Sequence, residues 1–278
     1  MTDEDFTRRF VELSAAQDRA AQMVLPSLDK NLMEVTKLCG GTALSRFYLQ
    51  HRLSFDLDFF IPQGVGFDAQ ELANRIARVT KISGLELTHD AVKADQLHFY
   101  VLVDSKTSIK ISFVEDMYAK MYPRVASGLT AGGVEVATEP VEGLYYRKLR
   151  TVVGWADSGS EAPQGGRQTA RDMFDLYTLS QTIMPLREFI DGLPDVFPVS
   201  AFENGLARMP WFELAPELME TIAAPAWAAG KDVETLQNHL YQELGMIEIP
   251  PDSPDEQDER DEPDEPRPSG GVSRRRRP

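Results

Sequence analysis

The feature that most restricts the fold of this chain is a change of hydrophobic period just ahead of Phe55. Up to Leu49 the apolar residues recur at helical spacing, whereas from Phe55 to Ile61 every second residue is apolar. Side chains on a strand point alternately to opposite faces, so this alternation predicts a β-strand with one apolar face. The other face carries Asp56 and Asp58. A purely helical fold is therefore excluded, and the sequence predicts a sheet that presents two neighbouring carboxylates.

The remaining patterns predict an α+β fold in two domains. Helical spacing recurs over residues 5–24, 28–38 and 68–82, and further strand patterns cover Leu85 to Val92, Gln96 to Val103, Ser108 to Val114 and Val134 to Thr138. After Pro140 the pattern is helical, around residues 141–155, 169–183, 185–192, 199–208, 213–224 and 232–245. We therefore predict a mixed sheet with flanking helices over residues 1–139 and a helical C-terminal domain over residues 140–248.

Composition limits the partners and the location. The chain has 29 Lys and Arg against 44 Asp and Glu, a net charge of −15, which argues against a broad basic surface that coats nucleic acid. A local basic groove stays compatible with this balance, and its candidates are Lys37, Arg46, Arg52, Arg147 and Arg150. No apolar run reaches the ~20 residues of a membrane-spanning helix, and Met1 precedes acidic residues where a secretory signal would be basic. The sequence predicts a cytoplasmic protein without membrane contact.

The last residues, 249–278, have the composition of a disordered tail. They are acidic and rich in proline, end in four arginines, and contain almost nothing apolar that could offset the entropy of ordering them. We predict no structure there.

The acidic face of the predicted strand has the chemistry of a metal site. Asp56 and Asp58 would project from one face about 6 to 7 Å apart at Cα. Two like charges side by side are unfavourable unless a cation binds them, and hard oxygen ligands suit Mg²⁺ or Mn²⁺. The oxygens of a nucleoside triphosphate would complete such a site, although a pair of acids on a strand can also be merely solvated.

A glycine pair precedes this strand. Gly40 and Gly41 let backbone N–H groups approach a phosphate, and Thr42, at the predicted N-cap of the next helix, adds a hydroxyl as Ser54 does. Arg52 is a further candidate for binding phosphate or RNA, with a solvated arginine as the equal alternative. Glycines, helix and acids follow each other within one short stretch, an order that favours a phosphoryl- or nucleotidyl-transfer site over a simple turn.

The motifs resemble those of a known family. The run GGTALSRFYLQHRLSFDLDFF resembles the first motif of the AbiEii/AbiGii toxin family of nucleotidyltransferases, which is related to the MenT toxins. Residues 145–150 (YYRKLR) resemble its later lysine motif, and residues 171–177 (RDMFDLY) resemble its Arg-Asp-x-x-Asp-Leu motif. The resemblance covers roughly residues 30–185. Taken without it, Arg171 and Asp175 could simply pair along one helix.

The resemblance implies a fold, an activity and roles for residues. The fold would be nucleotidyltransferase-like, of the polymerase beta type, and the enzyme would transfer NMP from an NTP to an acceptor with Mg²⁺. Asp56 and Asp58 would bind the metal, and Ser54 would lie beside the triphosphate. Lys148 would contact phosphates, and Asp172 would be the acid that the helical part contributes to the site. The resemblance further implies a toxin–antitoxin or phage-defence system, an antitoxin encoded in the same operon and, for some relatives, the tRNA 3′ end as acceptor.

One departure from polymerase-like transferases leaves alternatives open. Those enzymes place a third carboxylate on a neighbouring strand, where this chain offers only Lys110 or Ser112, unless Glu115 or Asp116 reaches in from the strand end. The general base could instead be Asp172. A catalytically impaired module that binds nucleotide or antitoxin is therefore a second hypothesis. A third is NMP transfer to a protein or small-molecule hydroxyl.

Overall fold

A mixed β-sheet packed against helices organises the chain. The structure is a computed structural model that describes residues 1–79, 85–86, 92–93, 95–131, 133–153, 169–193 and 199–247. Residues 1–247 form one compact unit. None of the described helices has the length and apolar character that crossing a bilayer requires.

Eight strands are present in the described part of the chain. They are β1 (Lys37–Cys39), β2 (Asp56–Pro62), β3 (Leu85–Glu86), β4 (Val92–Lys93), β5 (Gln96–Leu102), β6 (Ser108–Asp116), β7 (Val125–Ala131) and β8 (Val134–Thr138). The order across the sheet is β3-β5-β6-β2-β1-β8-β7, and β4 pairs with β5 beside β3. The pairs β2–β6 and β1–β8 are parallel, and the other pairs are antiparallel.

The helices surround this sheet. They are α1 (Asp3–Val24), α2 (Lys30–Val35), α3 (Gly40–Leu44), α4 (Ala69–Val79), α5 (Val141–Val153), α6 (Ala170–Thr182), α7 (Leu186–Asp191), α8 (Val199–Ala207), α9 (Trp211–Glu220) and α10 (Val233–Leu244). Thr2 caps α1 by accepting a hydrogen bond from the Asp5 amide, and the Asp232 side chain caps α10 in the same way. Helices α5 to α10 pack on one another.

The apolar face of the sheet forms the centre of the core. On β2 the residues Leu57, Phe59 and Ile61 are fully buried, whereas the intervening residues are only half-buried. Phe59 stacks on Phe113 of β6 with ring centroids 5.3 Å apart. Each fully buried side chain of this size stabilises the fold by about 1.5–3 kcal/mol through the water it no longer contacts. The opposite face of β2 carries Asp56 and Asp58 together with Phe60.

These elements confirm the predicted α+β class, the β2 strand and the helical character of the chain after residue 140. Two predictions were wrong. The segment 28–38 is not one helix, because α2 ends at Val35 and Lys37–Cys39 pairs between β2 and β8. Thr42 is not an N-cap, because α3 already starts at Gly40 after Cys39.

The sequence patterns also missed one strand, and several predictions are not tested. Strand β7, with the sequence VASGLTA, pairs with β8 at one edge of the sheet. Of the predicted strand from Leu85 to Val92, the middle lies outside the described residues, as does the predicted tail 249–278. The boundary between residues 139 and 140 falls between β8 and α5 and stays a prediction.

Candidate active site

Asp56 and Asp58 lie on the polar face of β2, in the middle of the sheet. Both are half-buried, while Leu57 between them is fully buried on the other face. Asp58 is in register with Cys39 of β1 on one side and with Ser112 of β6 on the other. The two carboxylates therefore share a face and are one strand repeat apart, about 6 to 7 Å at Cα.

The glycine pair packs directly against the acidic strand. Gly40 has φ +72°, a conformation that side-chain-bearing residues rarely adopt, and a Cβ on it would lie 2.6 Å from Oδ2 of Asp58. A Cβ on Gly41 would lie 2.3 Å from Nη2 of Arg52 and 3.1 Å from Oγ of Ser54. Only glycine fits at both positions. The fold thus brings together five of the residues that the sequence indicates.

Thr42 has a different partner from the predicted phosphate. Its side chain is buried, and its hydroxyl donates to the main-chain carbonyl of Asp56. This bond fastens the start of α3 to the start of β2. Ser54 keeps a half-buried side chain, and its carbonyl accepts a hydrogen bond from Gln17 Nε2 at 2.6 Å. Of the two predicted hydroxyls, Ser54 is the one that the fold leaves closer to solvent.

Beneath the glycine pair lies a buried network of ion pairs. Arg52 donates to both carboxylate oxygens of Asp175, from Nε at 2.6 Å and from Nη2 at 2.8 Å. Lys148 Nζ lies 2.6 Å from Oδ1 of Asp172 and 2.6 Å from Oδ2 of Asp175. Thr169 donates to the other oxygen of Asp172 at 2.7 Å. The network therefore contains two cations and two anions, all of them buried away from water.

The charges of this network are held by their neighbours. Burial opposes ionisation of Asp175, but Arg52 and Lys148 keep the pKa of its carboxyl well below the ordinary value. Burial also opposes the charge of Lys148, yet Asp172 and Asp175 raise its pKa. His51 Nε2 lies 2.6 Å from Oδ1 of Asp175, and burial lowers the pKa of this ring, which is therefore neutral near pH 7. Buried pairs of this kind are costly to break, because the remaining charge has no water.

The contacts of these residues in the structure differ from the roles predicted for them. Lys148 and Asp172, predicted to contact phosphates and the acceptor, bind each other inside the protein. Asp175, whose function the sequence leaves undecided, is the hub that joins α6 to Arg52 and so to Gly41. The simple helical pair of Arg171 with Asp175 does not form, since Arg171 contacts Glu217 on α9 at 3.3 Å.

The missing third carboxylate is confirmed for the neighbouring strand β6. Lys110 is in register with Asp56, and Ser112 is in register with Asp58. Asp116 lies at the far end of β6, where it pairs with Arg147 at 2.6 Å, and Glu115 accepts from the Gly64 amide at 3.3 Å. Neither acid reaches the pair on β2.

The five candidates for a basic groove all have partners within the protein. Lys37 pairs with Glu139, Arg46 with Asp18, Arg52 with Asp175, Arg147 with Asp116 and Glu139, and Arg150 with the Tyr118 hydroxyl. Lys37 and Arg52 are also fully or nearly fully buried. These two side chains therefore cannot contact a ligand in the described conformation.

The donor set on β2 fits a divalent ion shared with a triphosphate. Among the described residues there is no group of three or more His, Cys, Asp and Glu that could hold a metal alone. Two carboxylates on one face, beside a backbone cradle that a Cβ would fill, suit an ion whose other ligands are phosphate oxygens and water. The residues present therefore fit Mg²⁺ or Mn²⁺ with an NTP.

A family model and several solved structures are similar to this chain. The sequence model of the nucleotidyl transferase AbiEii toxin family, of type IV toxin–antitoxin systems, matches residues 28–238. A Helicobacter pylori protein described as a nucleotidyltransferase is 16% identical, with a TM-score of 0.47 over 84% of this chain and 94% of that chain. JHP933 from the same organism is 18% identical, with a TM-score of 0.41 over 83% and 91%. MenT4, a nucleotidyltransferase toxin of Mycobacterium tuberculosis, is 12% identical, with a TM-score of 0.47 over 89% and 91%. No curated protein sequence matches.

Proposed function

Since this chain belongs to the AbiEii family of nucleotidyltransferase toxins, we propose that it transfers a nucleoside monophosphate from an NTP to an acceptor hydroxyl at Asp56 and Asp58. In this reaction the acceptor oxygen forms a bond to the α-phosphorus, and the bond from that phosphorus to the β-bridging oxygen breaks. Pyrophosphate leaves, and the acceptor hydroxyl loses its proton. The observation that carries the proposal is the contact between the glycine pair and the acidic strand.

Gly40 and Gly41 provide the cradle for the leaving pyrophosphate. Their missing side chains leave room beside Asp58 and Ser54, where main-chain N–H groups and a hydroxyl can approach phosphate oxygens. Donors fixed in place before the reaction stabilise the charge that develops on the leaving group without a cost of reorganisation. Ser54 is the side chain best placed to add to them.

Asp56 and Asp58 hold the divalent ion that the family's activity implies. A bound Mg²⁺ would neutralise phosphate charge and lower the pKa of a coordinated hydroxyl. The chain itself contributes the position of the two carboxylates, fixed by the strand ladder on both sides of β2. Their half-burial limits water access and so strengthens their interaction with a cation.

The buried network supports this cradle from below. Arg52 packs under Gly41, and Asp175, which also pairs with Lys148, holds Arg52 in one orientation. This contact supports a positioning role for Lys148 and Asp175. The direct roles that the resemblance implies for Lys148 at phosphate and Asp172 at the acceptor remain predictions, and they require the pair to open when substrate binds.

The physiological setting follows from the family and is proposed in the same sense. We infer a cytoplasmic toxin with an antitoxin from the same operon, acting on the 3′ end of tRNA, with phage defence as its use. One observation favours a second candidate, a nucleotide- or antitoxin-binding module with impaired turnover: Lys110 and Ser112 stand where a third carboxylate would be. Transfer to a protein or small-molecule hydroxyl is the remaining alternative.

A transfer assay separates these candidates. The full chain is incubated with each α-³²P-labelled NTP, Mg²⁺ and total tRNA, and the label is followed on RNA, on protein and in solution. We expect label on RNA with the wild type and a loss of at least about 100-fold with Asp58→Asn, because one lost charge-stabilising group costs about that factor. Glu188→Gln, which removes an exposed carboxylate on α7, is the matched control and should retain activity.

Each outcome has a consequence. Label on protein or a small molecule instead of RNA would mean that the chain is a nucleotidyltransferase with a different acceptor. Nucleotide binding without any transfer would favour the impaired module. Equal transfer by wild type and Asp58→Asn would remove the proposed site altogether.

A further inference from the structure

The sheet face that carries the two aspartates continues across β6 and β5 as an open surface. Asp56 is in register with Lys110 on β6, and Lys110 is in register with Tyr100 on β5, so the three side chains form one row on the same face. Tyr100 is 39% exposed and Leu102, next on that face of β5, is 41% exposed. On the other face, the alternate residues of β5 are buried, as are Ile109, Ile111 and Phe113 of β6.

Lys110 differs from the cations of the predicted groove. It is half-buried beside the acidic strand and makes no ion pair with any residue that the structure describes. Lys93, exposed on β4, lies close enough to His98 to lower the pKa of that ring, as Lys110 does, although burial contributes most. On a chain with a net charge of −15, two lysines thus lie near His98 beside the site, while Asp95 acts on the same ring in the opposite direction. A polyanion is the partner that this charge attracts.

The geometry of transfer determines which side the acceptor must use. The attacking and leaving oxygens are roughly in line at the phosphorus. The cradle of Gly40 and Gly41 follows β1, on one side of Asp58, so the pyrophosphate leaves toward that side. The acceptor must then approach over β6 and β5. We call the exposed residues Tyr100 and Leu102, together with the half-buried Lys110, the acceptor platform.

We propose that the acceptor platform binds the single-stranded 3′ end of a polynucleotide, with a base stacked on Tyr100 and a phosphate at Lys110. The proposal rests on the function proposed above and names the residues that select its acceptor class. An aromatic ring on an open sheet face is a common stacking surface for unpaired bases. Tyr100 is two strand spacings, about 10 Å, from Asp56, which leaves space for the terminal nucleotide between them.

The chemistry of the platform favours this acceptor over a protein. An apolar partner surface would not need an unpaired cation, and an acidic peptide would not need an exposed aromatic ring two strands from the reacting carboxylates. His98, in the neighbouring row of the same face, has both ring nitrogens within 3.0 Å of polar partners, Ser112 and Gln96.

Binding of a defined probe tests the platform. The affinity of the full chain for a 5′-fluorescein-labelled single-stranded RNA octamer, and for DNA of the same sequence, is measured by fluorescence anisotropy at several salt concentrations. Stacking of one base supports a loss of about 5- to 150-fold with Tyr100→Ala, and Tyr100→Phe should retain affinity. Lys110→Gln should reduce the slope of log K against log salt by about 0.7, the value for one phosphate contact on a single strand.

Matched controls separate a specific loss from a general one. Phe212→Ala removes an exposed aromatic ring on α9, and Lys120→Gln removes an exposed cation in the turn after β6. Neither should change the affinity or the salt slope. In the transfer assay, Tyr100→Ala should raise KM for the oligonucleotide and leave KM for the NTP unchanged, a split that a folding defect would not produce.

The failure of the platform and the failure of the proposed function look different. If the wild type transfers NMP to RNA and the Tyr100 and Lys110 variants bind and react like it, the platform is wrong and the function stands. If the wild type labels only protein or a small molecule, the polynucleotide acceptor and the platform are wrong and NMP transfer stands. If the wild type transfers NMP to no acceptor, the proposed function itself is wrong. If the Tyr100 and Lys110 variants lose affinity for only the RNA or only the DNA octamer, the platform is supported, and the result shows whether it binds ribose or deoxyribose strands.

Discussion

Replacing Asp175 with Asn tests the buried network beneath the glycine pair. The side chain keeps its size but loses its charge, while Arg52 and Lys148 stay buried with Asp172 as their one remaining carboxylate. The amide would also turn N–H groups toward donors, since His51 Nε2, Arg52 and Lys148 all lie against the present carboxylate. The variant therefore leaves a buried charge without a partner.

We expect Asp175→Asn to lower the free energy of unfolding by a large amount. Breaking a buried ion pair by removing one partner costs about 3–5 kcal/mol, against about 5–15 kcal/mol for the stability of a whole domain. The double variant Asp175→Asn/Lys148→Met removes one cation and restores the balance of charges, so we expect it to recover at least about 1 kcal/mol. Asp191→Asn, which breaks an exposed pair with Arg187 on α7, is the control and should cost no more than about 1 kcal/mol.

Urea unfolding followed by circular dichroism measures all four proteins. A loss below about 1 kcal/mol for Asp175→Asn would refute the reasoning, because it would mean that the network contributes no more than an exposed pair does. A double variant no more stable than the single one would refute it as well. In that case the loss would come from packing and not from unbalanced charge.

The contribution of Asp175 also depends on pH. The pKa of its carboxyl is well below the ordinary value of about 3.9, so its stabilisation is complete above about pH 4 and is lost as pH falls through the folded-state pKa. Lys148 has a raised pKa, so its contribution is complete below about pH 10 and is lost at higher pH. Burial lowers the pKa of His51, which contacts Asp175, so the contribution of this ring changes as pH falls below about 6.5. The stability difference between wild type and Asp175→Asn should therefore be constant from about pH 7 to 9, and a steady change within that range would contradict the reasoning.

Two further substitutions probe separate parts of the fold. Gly40→Ala forces a side chain into φ +72° and against Asp58. We therefore expect a loss of about 1–2 kcal/mol in the free energy of unfolding and a larger proportional loss of transfer activity. An active variant with the stability of the wild type would show that the cradle has room for a side chain. Lys37→Met leaves Glu139 buried with only Arg147 as cation, which should cost about 3 kcal/mol in urea unfolding, whereas an unchanged midpoint would show that Arg147 alone suffices.

The sequence predicts those elements whose patterns are local. Strand β2 alternates over its whole length, and the helices after residue 140 follow apolar residues at helical spacing, so both could be read directly. The short strand Lys37–Cys39 could not, because it is buried on both faces and three residues show no period. Strand β7 contains Ala, Ser and Gly, residues with little preference for strands, and its place is decided by pairing with β8.

The candidate site divides in the same way. The glycine pair and the acids of β2 are neighbours in sequence, and their functional pattern is visible without a structure. The partners of Arg52 and Lys148 are not, since Asp175 is 123 residues from Arg52 and reaches it only through the packing of α6. A charged motif on a helix can bind substrate or another charge, and only the fold decides which partner it meets.

The central claim is that Asp56 and Asp58 together bind a divalent metal ion beside the glycine pair. Crystals of the full chain with Mn²⁺ and a non-hydrolysable NTP test it through the anomalous signal of the metal. We expect a Mn²⁺ peak within about 2.0–2.3 Å of oxygens from both aspartates, with phosphates against Gly40 and Gly41. Metal and nucleotide bound elsewhere, with the two carboxylates empty, would contradict it.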